Sequence, residues 1–257
     1  MLGAIVGDFI GSPWEGGDPF EFRGALLRPS CGFTDDTVLT ITTAYAWAVG
    51  EDVRAKYRES ILDYWSLGFS EALLKWAEGQ DEQQHFNVGN GAAIRVSPVV
   101  LFANSLHEAL DLAATSASAT HYHEHAIQLA TVVGGATYLA HRGHSPAAIL
   151  QFARVQSPLL YRRPRSGQAY HWESVVTAIE IACQTDSFES CMCECVAAGG
   201  DVDSVCAMAG GLSEGFWGIP SILLTPVLAE LEKQYPDLFL MLKLAAMRGG
   251  QHLTSTT

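Results

Sequence analysis

Apolar side chains recur at helical spacing along most of the chain. Stripes of apolar residues run through positions 38–48, 126–140 and 172–183, and their spacing puts each stripe on one face of an α-helix. No segment alternates apolar and polar residues with comparable strength, as a β-strand would. The pattern predicts an all-α fold, and the 257 residues predict a single domain over 1–257 with one substantial core.

Glycine and proline divide this helical pattern. Segment 2–11 is almost entirely apolar and carries glycine at every fourth position, which favours a buried helix packed closely against another backbone. Pro13 should end that helix and leave Glu15 near its mouth, where a solvated loop carboxylate is the simplest interpretation. Prolines at 220, 226 and 236 predict that the C-terminal region is divided into short helices.

Two short acidic motifs stand out where irregular segments turn into helices. The first is Thr34-Asp35-Asp36-Thr37, and the second is Gly199-Gly200-Asp201-Val202-Asp203-Ser204. Capping of a helix explains one such side chain, but it does not require several oxygen donors in a row. If the fold brings the motifs together, their carboxylates repel one another unless cations intervene. Oxygen ligands without paired His or Cys suit Mg²⁺, Mn²⁺ or Ca²⁺ rather than Zn²⁺.

Two further segments could contact a ligand. Gly89-Asn90-Gly91 lies at a predicted helix entry, whose N–H groups either bind a phosphate or carboxylate or form an ordinary loop and cap. Near Thr120-His121, two histidines at positions 121 and 125 would share a helical face, but the His-Glu-x-x-His zinc pattern fails at Ile127. We expect His121 to contact a substrate.

Composition narrows the class of protein. A formal net charge of -13 argues against binding to nucleic acid, and the short run Arg162-Arg163-Pro164-Arg165 is either a solvated loop or an anion contact. The chain has no apolar run of about 18 residues and no signal peptide pattern, which predicts a cytoplasmic protein that does not contact the membrane. The six cysteines match no zinc or disulfide pattern and are expected as reduced thiols. The sequence shows no heptad repeat and no long apolar surface stripe that would bind a partner, so we expect a monomer.

The order of the motifs resembles the ADP-ribosylglycohydrolase family. The resemblance rests on Gly7-Asp8 with Gly11 and Glu15, on Phe33 to Thr37, on Gly89-Asn90-Gly91 with Arg95, on Thr120-His121, and on Gly199 to Ser204. It spans nearly the entire chain, and the two acidic motifs are its most specific part. It implies a compact orthogonal bundle of α-helices with a dinuclear Mg²⁺ or Mn²⁺ cleft that receives ADP-ribose.

The resemblance also implies a reaction and the residues that perform it. The reaction is hydrolysis of the glycosidic bond between ADP-ribose and an acceptor, either a protein side chain or a small molecule. Glu15, Asp36 and Asp203 are the candidate catalytic carboxylates, with Asp203 expected to bridge the metals, and Gly89, Asn90, Gly91 and His121 are expected to bind substrate. The implied metal ligands are Thr34, Asp35, Asp36, Asp201, Asp203 and Ser204.

Two departures from the family pattern bear on this interpretation. Ser204 stands where threonine is usual, which keeps the hydroxyl ligand but loses a methyl group that restricts its rotamer. Phe86-Asn87-Val88 precedes the glycine loop where an aromatic-x-Ser segment is common, which bears on contacts to the distal ribose or the leaving group. An ADP-ribose-binding or antitoxin protein with little turnover is the alternative, and a structural role is a third.

Overall fold

The computed structural model describes residues 1–16, 22, 24–80, 89–157 and 169–250, apart from the side chains of 169–171. These ranges contain fourteen α-helices and no β-strand, which confirms the all-α prediction. A 3₁₀ turn over Ser12–Trp14 follows the first helix. In chain order the helices are α1 (Leu2–Gly11), α2 (Asp35–Val49), α3 (Val53–Asp63), α4 (Glu71–Ala77), α5 (Gly91–Ile94), α6 (Val99–Phe102), α7 (Leu106–Ser118), α8 (Glu124–His141), α9 (Pro146–Gln156), α10 (Ala169–Gln184), α11 (Phe188–Ala198), α12 (Val202–Trp217), α13 (Ser221–Gln234) and α14 (Pro236–Arg248).

The antiparallel pair of α1 and α12 forms the centre of the fold. Every residue of α1 is buried, and a Cβ atom at Gly7 would overlap the backbone carbonyl of Cys206 in α12. At Gly11 a Cβ atom would lie 2.5 Å from the Asp203 Cα. The two backbones therefore approach closely because glycine occupies these positions, as the sequence predicted. The contact brings the C-terminal end of α1 to the N-terminal end of α12.

The other helices surround this pair. α2, α8, α10 and α11 each pack against α1 or α12, and α14 packs against α2. Hydroxyl side chains cap several of them: Ser70, Ser105 and Ser145 accept backbone N–H groups at the starts of α4, α7 and α9. The six cysteines are all free thiols, as expected. Across the described ranges, no helix has both the length and the apolar character that a membrane crossing requires.

Pro226 corrects one sequence-based expectation. It was expected to end a helix, but it lies inside α13. The buried side of α13 carries Leu223, Val227 and Leu231, while Pro226 is exposed. The backbone carbonyl that loses its hydrogen bond to a proline is therefore on the side where solvent can satisfy it, so the helix continues.

The close contact between α1 and α12 gives a prediction about stability. Gly7→Ala should lower the free energy of unfolding by about 2 kcal/mol or more, because the new methyl group must push two backbones apart. Urea unfolding followed by circular dichroism measures the change. Gly32→Ala is the matched control, since no described atom lies within 4 Å of a Cβ at that position. Equal urea midpoints for the Gly7 variant and the wild type would contradict the described packing.

Candidate metal centre

Six carboxylates converge where three helix ends meet. They come from the end of α1 and the turn after it, from the start of α2, and from the start of α12, and the six are Asp8, Glu15, Asp35, Asp36, Asp201 and Asp203. The two acidic motifs are separated by more than 160 positions, yet Ser204 Oγ donates to Asp36 Oδ2 at 3.3 Å. The structure therefore brings the motifs together as the sequence analysis expected.

Two groups of carboxylates have the spacing of ligands around a cation. Oxygen atoms of Asp8, Asp36 and Asp203 lie within 4.8 Å of one another, and so do oxygen atoms of Glu15, Asp201 and Asp203. Asp203 belongs to both groups. All three members of the first group are buried, whereas Glu15 in the second is exposed. One side of the cluster is thus enclosed and the other opens to solvent.

Asp8 is a member of the cluster that the sequence analysis did not assign to the site. It is fully buried, and its Oδ1 accepts a hydrogen bond from Thr34 Oγ1 at 2.7 Å. Its Oδ2 accepts from the Thr34 backbone N–H at 3.0 Å and from Thr37 Oγ1. Both oxygens of Asp8 therefore hold the first acidic motif in place. The signal in the sequence was a single charged residue inside an otherwise apolar buried helix.

Thr34 joins Asp8 to the start of α2. Its Oγ1 caps the helix by accepting the Asp36 backbone N–H at 3.2 Å, and it donates its proton to Asp8. The Thr34 hydroxyl alone therefore caps α2, and neither carboxylate of the motif is needed for capping. Asp35 and Asp36 follow in the first turn of α2, where the helix dipole favours negative charge.

Glu15 is held near the second motif by the backbone. The Gly16 N–H donates to the Gly200 carbonyl at 3.3 Å, directly before Asp201. Gly199 and Gly200 have φ values of 70° and 82°, a conformation that glycine adopts readily and that turns the chain into α12. The exposed Glu15 carboxylate thereby reaches the rim of the cluster beside Asp201 and Asp203.

Asn90 is buried and contacts the acidic cluster directly. Its Nδ2 donates to Asp201 Oδ2 at 2.6 Å and to Ser174 Oγ at 2.9 Å. Gly89 and Gly91 flank it, and Gly91 begins α5, a helix of only four residues. Asn90 therefore orients a carboxylate of the second motif, a contact that the sequence spacing did not reveal. The segment Phe86-Asn87-Val88 and the arginine run at 162–165 lie outside the described residues.

His121 lies between two helices rather than within one. α7 ends at Ser118 and α8 begins at Glu124, so His121 and His125 do not share a helical face as the sequence spacing suggested. The His121 side chain is buried, and its Nδ1 is 2.8 Å from Thr120 Oγ1.

Burial and mutual repulsion raise the pKa values of several carboxyls in the cluster. Burial, and then the charges of Asp8, Glu15 and Asp201, raise the pKa of Asp35 to about 7 and that of Asp203 to about 8. The pKa of Asp36 is raised well above its ordinary value by burial and then by Asp35 and Asp203. Burial also raises the pKa of Asp8, although its hydrogen bonds from Thr37 and Thr34 oppose that shift.

The donor set fits hard divalent cations. Asp203 Oδ1 is buried and has no hydrogen-bond partner among the described residues, and a buried carboxylate oxygen without a partner is strongly unfavourable. A divalent cation would satisfy it and would offset the repulsion among its neighbours. Among the described residues, the ligand atoms of both carboxylate groups are oxygens, the type that Mg²⁺, Mn²⁺ and Ca²⁺ prefer.

Comparisons with known proteins identify the family and the fold of the chain. The sequence model of a family described as ADP-ribosylglycohydrolase matches residues 1–248. A solved structure titled "ADP-ribosylglycohydrolase-related protein complex" superposes with a TM-score of 0.71 at 24% sequence identity, covering 95% of this chain and 97% of the other. At that identity the structural match supports the fold alone. No curated protein sequence matches the chain.

The raised pKa values predict how stability depends on pH when no metal is bound. Asp35 and Asp203 have an ordinary pKa of 3.8, against about 7 and about 8 in the fold. Between these values the folded state binds more protons than the unfolded state, so the free energy of unfolding falls as pH rises. In EDTA, the melting temperature should therefore decrease from about pH 5 to about pH 8.

Added metal should reverse this loss. Millimolar Mg²⁺ or Mn²⁺ should raise the melting temperature most at the alkaline end, by an amount that grows with the logarithm of concentration. Scanning calorimetry with and without EDTA measures both effects. A melting temperature that rises with pH in EDTA, or one that metal leaves unchanged throughout, would contradict the assignment.

Proposed function

Because the chain belongs to the ADP-ribosylglycohydrolase family, we propose that it is a metal-dependent hydrolase that cleaves the glycosidic bond between ADP-ribose and an acceptor. The observation that carries the proposal is the pair of carboxylate groups that share Asp203, one buried and one open to solvent through Glu15. Such a pair suits two cations, one enclosed and one on the solvent side, where Glu15 lies. We propose an ADP-ribosylated protein as the substrate.

Two divalent cations, Mg²⁺ or Mn²⁺, are the proposed cofactors. Their ligands would be Thr34, Asp35 and Asp36 from the first motif and Asp201, Asp203 and Ser204 from the second. Asp203 would lie between the ions, which its membership of both groups and its unpartnered Oδ1 support. Asp8 belongs to the buried group as well, and the hydrogen bonds that its two oxygens accept from Thr34 and Thr37 would hold the first motif in place beside the ions. When bound, such ions polarise sugar oxygens and lower the pKa of water.

The chain's own residues would orient the sugar and move the protons. Glu15 is the favoured general base, because it is exposed at the rim and its carboxylate is within 4.8 Å of ligand atoms of Asp201 and Asp203. It would accept a proton from the attacking water as the new C–O bond forms at the anomeric carbon and the bond to the acceptor breaks. The acceptor leaves with a proton, so water is the only co-reactant. General-base catalysis contributes about 10² to 10⁴ in rate.

Asn90 and His121 are the residues proposed to meet the substrate beyond the metals. The Nδ2 group of Asn90 donates to Asp201 and Ser174, and its side-chain oxygen could accept a hydrogen bond from a ligand. Gly89 and Gly91 would let the substrate approach the backbone on either side of it. His121 would contact the nucleotide portion.

The proposal is tested by measuring release of ADP-ribose. The substrates are Arg-linked, Ser-linked and O-acetyl ADP-ribose, each with Mg²⁺, Mn²⁺ or EDTA. We expect release from at least one substrate with metal and none in EDTA. Tight binding of ADP-ribose with no release from any substrate, while metal is verified as bound, would favour the binding or antitoxin alternative instead.

Single substitutions test the assigned carboxylates. Asp203→Asn should lower turnover by about 10³-fold or more, because it removes a charge from both ligand groups. Glu15→Gln should lower turnover by about 10²-fold or more with little effect on metal-induced stabilisation. Asp63→Asn, which removes an exposed carboxylate on α3, is the matched control and should retain full activity. Full activity of Asp203→Asn with an unchanged helical spectrum would contradict the metal assignment.

A further inference from the structure

Arg95 is a buried cation whose charge interacts with that of Asp36 in the proposed site. Its side chain is 1% exposed, and its guanidinium lies over the Tyr57 ring at 4.3 Å from the ring centroid. Nη2 donates to the Ser116 carbonyl at 2.7 Å and to Thr120 Oγ1 at 2.6 Å, and Nε donates to Ser116 Oγ at 3.3 Å. Arginine can donate hydrogen bonds but cannot accept them. Each hydroxyl that accepts from Arg95 therefore keeps its own proton for another partner.

One chain of hydroxyls runs from Arg95 to the helix that carries the first acidic motif. Ser116 Oγ is 2.7 Å from the Tyr57 hydroxyl, which is 2.5 Å from Thr43 Oγ1. Thr43 in turn donates to the Leu39 carbonyl of α2 at 2.7 Å. Because Thr43 uses its proton on that carbonyl, it accepts from Tyr57, and Tyr57 accepts from Ser116. In every hydrogen bond of this series, the group nearer to Arg95 is therefore the donor.

The same logic applies to the second chain, which ends at His121. Thr120 Oγ1 accepts from Arg95 and lies 2.8 Å from His121 Nδ1. If Nδ1 carried the proton and donated it, the buried Thr120 hydroxyl proton would have no acceptor among the described residues. An unpaired buried donor is unfavourable. When Thr120 instead donates to an unprotonated Nδ1, both the Thr120 hydroxyl proton and Nδ1 are paired.

We propose that Arg95 and Thr120 are positioning residues that fix neutral His121 as the tautomer with its proton on Nε2. This inference rests on the proposed function, in which His121 contacts the substrate. Nε2 of His121 is then a hydrogen-bond donor, so a ligand group that pairs with it must be an acceptor. In ADP-ribose the phosphate oxygens, the ribose oxygens and the adenine ring nitrogens qualify, whereas the adenine amino group does not.

The direction of the hydrogen bond can be measured without any substrate. Protein labelled with ¹⁵N-histidine is studied by long-range ¹H–¹⁵N correlation at about pH 8, where an ordinary histidine is neutral. The signals of His121 among the nine histidines are assigned by their loss in His121→Gln. We expect a protonated Nε2 and an unprotonated Nδ1 that accepts a hydrogen bond. Thr120→Val should remove that hydrogen bond, and Thr120→Ser should restore it.

Affinity for ADP-ribose then tests whether Thr120 acts through His121. By calorimetry with Mg²⁺, Thr120→Val should weaken binding by about three- to tenfold, and Thr120→Ser should leave it within about twofold. His121→Gln should weaken binding as well. Adding Thr120→Val to His121→Gln should cause no further loss, because the two residues act as one unit.

The two measurements can fail separately. A proton on His121 Nδ1 in the wild type would overturn the proposal, and that spectrum decides the matter even if Thr120→Val does not fold. Losses of affinity that multiply in the double variant would also overturn it, since Thr120 would then act independently of His121. A wild type that binds no ADP-ribose would refute the proposed function, while the spectrum would still report whether the tautomer is fixed.

Discussion

The contact between α1 and α12 is the constraint on which the rest of the structure depends. Two backbones meet because glycine occupies the contact positions, and the residue next to Gly7 is Asp8, while the residue facing Gly11 is Asp203. The helix pair that forms the core therefore also brings one carboxylate from each helix into the cluster. Packing and chemistry use neighbouring positions of the same two helices. A substitution that separates the helices would disturb the proposed metal site as well as the core.

The cluster works against the stability of the fold that contains it. Burial and mutual repulsion raise the pKa values of its carboxyls, which means that their charged forms are disfavoured there. Hydrogen bonds from Thr34 and Thr37 to Asp8, from Asn90 to Asp201, and from Ser204 to Asp36 offset part of this repulsion. The positive charge of the buried Arg95 also interacts favourably with the Asp36 carboxylate. These partners reduce the repulsion among the carboxylates, and a cation would in addition pair with the buried Oδ1 of Asp203.

Local patterns in the sequence predicted the features that local physics determines. The helical period predicted the all-α fold, and the glycine spacing predicted the close packing of the first helix. The assignment of Pro226 as a helix end was wrong because the exposure of that turn of α13 depends on tertiary packing. The role of Asp8 and the Asn90 to Asp201 contact were missed for a similar reason. Each depends on residues from distant parts of the chain that meet only in the fold.

Helix capping does not account for the carboxylates of the two acidic motifs. At α2 a single hydroxyl, that of Thr34, caps the helix, and neither following carboxylate is needed for that purpose. At α12 the N-cap residue is Asp201, yet its side chain makes no capping hydrogen bond, and Asn90 holds it instead. Aspartate is among the best capping residues. The presence of Asp201 at an N-cap position that its side chain does not cap therefore requires another explanation. The shared position of Asp203 between two carboxylate groups supplies one, because its free oxygen and its neighbours all favour a bound cation.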